Sequence, residues 1–79
     1  MNTSVIRVID VLVVNIRFDA DRIHVELSDG REIIVTLEWF PSLRNATDEQ
    51  RNKWRIIGKG VGIHWDDLDE DISVAGLLR

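Results

Sequence analysis

Arg22-Ile23-His24-Val25-Glu26-Leu27-Ser28-Asp29-Gly30-Arg31-Glu32-Ile33-Ile34-Val35-Thr36-Leu37 is two alternating runs joined by a turn. Ile23, Val25 and Leu27 alternate with Arg22, His24 and Glu26, and Ile33, Val35 and Leu37 alternate with Glu32, Ile34 and Thr36. Period-2 alternation places one set of side chains on each face of a strand. Ser28-Asp29-Gly30 supplies the turn residues. A two-residue loop would set Val25 opposite Ile34 and Leu27 opposite Glu32. A three-residue loop sets Val25 opposite Ile33 and Ile23 opposite Val35, which keeps the apolar residues on one face. It also puts Gly30 in the left-handed position that a type I turn with a bulge requires. A one-residue slip would turn the oily face to water, so the three-residue loop is the expected register.

Upstream, Leu12-Val13-Val14-Asn15-Ile16-Arg17-Phe18 reads as another strand, with positions 12, 14, 16 and 18 facing inward, and Asp19-Ala20-Asp21 as the turn after it. Val5 to Ile9 reads as a separate short strand. Downstream the period breaks. Pro41 stops any ladder, and Glu38 to Leu43 reads as a helical turn or loop anchored by Trp39 and Phe40. Thr47-Asp48-Glu49-Gln50 is a capping box, predicting a short helix from Asp48 to about Trp54. Ile56-Ile57 starts a brief strand, Gly58-Lys59-Gly60-Val61-Gly62 turns, and Val61 to Trp65 returns. The acidic run after it reads as a solvated loop. Ser73 caps a last helical turn, Val74 to Leu78. The fold class is α+β: a small antiparallel sheet, built of β-hairpins in the first half, with short helices packed on it and a short C-terminal helical turn.

Seventy-nine residues form a single domain, residues 1–79, with one core. Such a chain buries only about 60–65% of its unfolded surface, and with no cysteine it has neither disulfides nor thiol chemistry to help it. Apolar packing or self-association must supply the stability, so a homodimer burying Leu77 and Leu78 is expected. The longest aliphatic run, Val11 to Val14, is far short of the roughly 20 residues of a membrane span, and no signal peptide is legible. The expected location is the cytoplasm.

The net charge of −4 is uneven. Residues 1 to 65 carry nine basic and nine acidic side chains; the last fourteen carry Asp66, Asp67, Asp69, Glu70 and Asp71 against Arg79. Residues 44–59 are basic through Arg44, Arg51, Lys53, Arg55 and Lys59. An acidic end next to Trp65 and the Val74–Leu78 face suits a basic protein partner, which such charge would draw in quickly. The partner-contact candidates are Trp65, Asp66, Asp67, Asp69, Glu70, Asp71, Leu77 and Leu78. The alternative is a nucleic-acid contact through Arg51, Lys53, Trp54 and Arg55, where an indole among cations could stack a base; the overall acidity argues against it. Trp39 and Trp65 are expected in the core.

Chemistry is thinly supported. The glycine run has Gly-x-Gly-x-Gly spacing, which is neither a phosphate loop nor a dinucleotide loop, and a plain turn explains it. His64 and Asp66 sit two apart and share a strand face, as a base and its orienting carboxylate would, but no nucleophile is pinned beside them. Asp67, Asp69 and Asp71 begin like a calcium loop, yet Ile72 stands where that loop needs Gly and Leu78 where it needs Glu. No catalytic residue, metal or cofactor is assigned; a small His64-dependent enzyme is the remaining alternative.

Several of these residues together resemble a known family. Thr47-x-Glu49-Gln50-Arg51-x-x-Trp54, Gly58-x-Gly60-x-Gly62-Ile63-His64-Trp65, Leu68 to Val74 and Gly76-Leu77-Leu78, with Asp29-Gly30, Leu37-x-Trp39-Phe40-Pro41 and Asn45-Ala46, resemble the bacterial domain-of-unknown-function family 2442 over about residues 22 to 79. The resemblance implies a compact α+β domain without established activity. It also implies a neighbour: members are often encoded beside another small protein, in arrangements like toxin–antitoxin pairs. Some relatives carry a helix-turn-helix extension, which this sequence lacks after Arg79, and that counts against a repressor. The shared residues Trp39, Trp54, His64, Trp65, Asp69, Glu70 and Asp71 carry over as candidates for folding or partner contact.

Overall fold

The structure, a computed structural model, describes residues 11–78. The Val5–Ile9 strand expected from the sequence lies outside that range. The element order is β1 (Val13–Phe18), β2 (Arg22–Leu27), β3 (Glu32–Thr36), a 3-10 turn (Leu37–Trp39), α1 (Pro41–Arg44), α2 (Asp48–Arg51), β4 (Trp54–Ile57), a 3-10 turn (Gly58–Gly60), β5 (Gly62–Trp65), β6 (Glu70–Ser73) and α3 (Val74–Leu77). The strands form two antiparallel three-stranded meanders, β1-β2-β3 and β4-β5-β6. The fold is α+β, as expected, but the small sheet is two.

The central hairpin has the three-residue loop. Ile23 pairs with Val35 and Val25 with Ile33, and Gly30 sits at φ +91°, where a side chain would be strained. β1 departs from simple alternation. Val13 pairs with Leu27, but Asn15 pairs with Glu26, so Val14 is an inserted residue. This bulge shifts the inward phase: Val13 and Ile16 are buried, whereas Val14, expected inside, is 54% exposed.

One buried cluster joins the sheets: Val13, Ile16, Ile23, Val25, Leu27, Val35 and Leu37 from the first part, Ile63, Trp65 and Ile72 from the second, with Leu43 and Val74 from α1 and α3. Phe18 meets the edge of Trp65 at 6.4 Å between ring centres, tilted 70°. The glycine run is the predicted turn. Gly60, at φ +115°, lies so close to Leu12 that an added Cβ would stand 2.7 Å from its Cβ, so the run lets two chain segments approach.

Three expectations are corrected. Trp39, expected inside, is 67% exposed. The 3-10 turn points Leu37 into the core and Phe40 against it, and its period leaves the two residues between them, Glu38 and Trp39, outside. The helix after Thr47 is shorter than expected. Its capping box forms, with Gln50 N–H donating to Thr47 Oγ1 at 3.1 Å and Thr47 N–H to Gln50 Oε1 at 2.9 Å. It ends at Arg51, because Trp54 opens β4 and pairs with Trp65 across the ladder; Trp54 packs half-buried against the core. Last, the acidic run is only partly a loop. Glu70, Ile72 and Val74 alternate inward, and the burial of Ile72 and Val74 draws Glu70–Ser73 into β6.

Candidate functional site

The second sheet has one oily and one charged face. Directly paired residues share a face, so Trp54, Trp65 and Glu70, with Ile56, Ile63 and Ile72, form the inner one. Arg55, His64 and Asp71 form a row across the outer one, and Asp66, just past β5, completes it. Arg55 donates to Asp66 from Nε and Nη2, both at 3.2 Å. His64 faces Asp66 Oδ1 through Nε2 at 3.0 Å and Asp71 Oδ1 through Nδ1. The signs alternate along the row: Arg55, Asp66, His64, Asp71.

Two carboxylates on the two ring nitrogens favour the imidazolium, the only form with two N–H donors. The hydrogen bond to Asp71 raises the His64 pKa above its ordinary value, with help from the charges of both carboxylates and against desolvation and Arg55. The Arg55 hydrogen bond holds Asp66 below the usual carboxylate range. In the imidazolium form both ring nitrogens carry protons, so the ring offers no lone pair to a general base. Among the described residues the serine hydroxyls are engaged in other contacts. Ser42 donates to Glu70, Ser73 caps α3 and Ser28 accepts from Leu12 N–H. Among the described residues no group of three or more His, Asp or Glu is arranged to hold a metal ion.

The clamp carries a pH prediction. A folded-state pKa above the unfolded one means that folding takes up a proton at His64. The resulting stability is complete below the ordinary imidazole value of 6.5 and is lost as pH rises through the folded value. Urea midpoints of the protein should therefore fall relative to those of His64→Gln as pH rises from 6.5 through the folded value. A constant difference between the two proteins across that range would contradict the clamp.

Beside this face a groove of about 500 Å³ is lined by Trp39, Phe40, Asp71, Ile72, Ser73, Gly76 and Leu77. Trp39 of the 3-10 turn and Phe40 after it make one wall, α3 the other, and β6 the floor. Trp39 stands in solvent at the rim. A second cleft, of about 560 Å³, lies between β1 and α2 and is lined by Phe18, Asp19, Asp48, Arg51 and Asn52 among others.

Residues 13–79 match the family described as "Protein of unknown function (DUF2442)". The chain belongs to this family. Two solved structures share the DUF2442 fold seen here. A protein of unknown function from Rhodospirillum rubrum ATCC 11170 is 31% identical, with 86% of this chain and 84% of that one covered and a TM-score of 0.73. An uncharacterised protein from Chromobacterium violaceum is 26% identical, with 85% of this chain covered and a TM-score of 0.71. The match spans 63% of the length of that second protein. No curated protein matches the chain.

In this DUF2442 domain the sequence candidates are only partly brought together. Trp65 is fully buried and is a core residue with no surface for a partner. Asp66 and Asp71 are held in the charged row, Asp67 lies 3.6 Å from Lys53, and Glu70 accepts from Ser42. Asp69 is exposed in the turn at φ +50°. Leu77 lines the groove, and Leu77 and Leu78 pack half-buried on the core. The basic residues form no stripe: Arg51 points inward to the Leu43 and Arg44 carbonyls at 2.8 Å each, Lys53 faces Asp67, and Arg55 is taken by Asp66. The residue pattern places Trp39 in the core and gives Phe40 no partner role, although the family resemblance names Trp39 among the candidates for folding or partner contact; both line the groove. The signal was in Leu37-x-Trp39-Phe40, since one short turn cannot bury three large side chains.

Proposed function

We propose that this domain is a non-enzymatic protein-binding module, the antitoxin-like partner of a small basic protein encoded nearby, and that the partner docks on the groove beside β6. The observation that carries the reading is Trp39, held at 67% exposure on the rim of an apolar groove whose floor includes the acidic strand. Tryptophan is among the residues enriched at the hot spots of protein interfaces. The nearby carboxylates of Asp66, Asp67 and Asp71 are each about half exposed or more, at 65%, 48% and 68%, and steer a cationic partner.

The test is association with the neighbouring gene product, followed by surface plasmon resonance. Asp67→Asn, Asp69→Asn and Glu70→Gln together should slow association by on the order of tenfold in low-salt buffer and change dissociation little. Trp39→Ala should chiefly speed dissociation. Unchanged association of the triple variant at low salt, or unchanged dissociation of Trp39→Ala, would sink the reading.

A further inference from the structure

β6 is the last strand of its sheet, and its open side forms the floor of the groove. Asp71 and Ser73 belong to the outer face and Ile72 to the inner one, yet all three line that groove. Consecutive residues from both faces line one groove only along a strand's edge.

The hydrogen-bond phase decides which main-chain groups point there. Val74 N–H donates to Val61 C=O at 3.0 Å. Antiparallel pairs alternate between those that exchange bonds and those that do not, so Ile63–Ile72 and Trp65–Glu70 exchange them. The pairs His64–Asp71 and Gly62–Ser73 do not. Asp71 N–H and C=O and Ser73 N–H therefore face the groove, and no hydrogen bond outside the ladder uses them among the described residues.

We infer that this edge accepts an extended segment of the partner as a fourth strand, with a lysine or arginine opposite Asp71 and apolar side chains opposite Ile72. The inference rests on the docking reading above and names its mode. Main-chain bonds give such a strand its affinity, and side-chain pockets on alternate positions give its selectivity. On the outer face the row Arg55–His64–Asp71 ends in a carboxylate, so a cation completes the next column, and opposite charges across strands stabilise. On the inner face Trp39, Phe40 and Leu77 surround Ile72 and suit an aliphatic side chain. Charge also selects against a second copy: it would bring its own Glu70 and Asp71 to the same edge, acid beside acid, as edge strands often do to prevent self-pairing.

The experiment uses the whole protein and synthetic peptides of about eight residues alternating lysine with valine. Titration followed by amide NMR should show binding, with hydrogen exchange slowed at Asp71 and Ser73. A copy of the peptide N-methylated on the edge that would pair with β6 should bind at least about tenfold more weakly, as should one with glutamate for lysine. Equal binding of the N-methylated peptide without protection at Asp71 would overturn strand addition. So would failure of every peptide to bind. In either case the docking reading stands or falls separately, on the triple variant and the whole partner. Protection of Asp71 and Ser73 without peptide also overturns the inference. If it fades on dilution, a second copy fills the edge; if it persists, the edge is closed within the chain.

Discussion

Trp65→Ala is expected to cost about 3–5 kcal/mol, enough to leave much of a domain of this size unfolded. The side chain has no exposed surface. Its ring meets Phe18 of the first sheet edge-on, and its Nε1–H donates to the Arg51 carbonyl at 2.9 Å. It therefore joins both sheets and the end of α2. Truncation removes the largest buried side chain, leaves a void between the sheets and strips the Arg51 carbonyl of a donor. Against a total of about 5–15 kcal/mol for ordinary domains, and with no disulfide to compensate, little remains. The control is Trp39→Ala, the same chemical change at an exposed site, which should fall within about 0.5 kcal/mol of the parent. Urea unfolding of the three proteins checks this. Similar losses for the two variants would mean the indoles do not divide into core and surface as described.

Arg51→Ala should be the second most damaging change, at about 2–4 kcal/mol, although the residue is charged and the sequence places it in a basic cluster. Its side chain is only 13% exposed. Nε and Nη2 donate to the Leu43 and Arg44 carbonyls at 2.8 Å each, at the C-terminal end of α1, where helix carbonyls run short of intrahelical partners; Leu43 C=O also accepts from Ala46 N–H at 3.2 Å. The guanidinium also lies 5.9 Å from the centre of the Phe18 ring. Removing it abandons two charge-assisted bonds and a contact with the first sheet. Arg51→Lys should recover less than half, because one ammonium cannot reproduce the fork. Lys53→Ala, two residues away with an exposed ion pair, should cost no more than about 0.5 kcal/mol. Equal urea midpoints for Arg51→Ala and Lys53→Ala would refute the structural role.

How far the fold could be read depended on how local its cause was. The register of the β2–β3 hairpin follows from alternation and three turn residues, all within one short stretch, and the structure has it. The capping box of α2 and the Ser73 cap of α3 are equally local. β1 was read a phase out around Val14 because a bulge is a property of the pair Val13–Asn15 against Leu27–Glu26, invisible along one strand. β6 was read as loop because Asp69, Glu70 and Asp71 mask an alternation whose inward members are Ile72 and Val74. The shared face of His64 and Asp66 was legible from their spacing. Its meaning was not, since the third member, Asp71, arrives from β6, and it turns a base-and-orienter pair into a clamp.

The chain by itself determined the α+β class, the central hairpin, the caps and the gathering of negative charge near its end, because each follows from neighbouring residues under fixed backbone geometry. Only the tertiary structure decided that Trp65 is core and Trp39 surface, that Arg51 holds helix carbonyls, and that β6 is the edge strand of its sheet among the described residues, beside the groove. Those outcomes depend on which distant segments compete for the same buried volume and the same hydrogen bonds, a choice no single stretch of sequence contains.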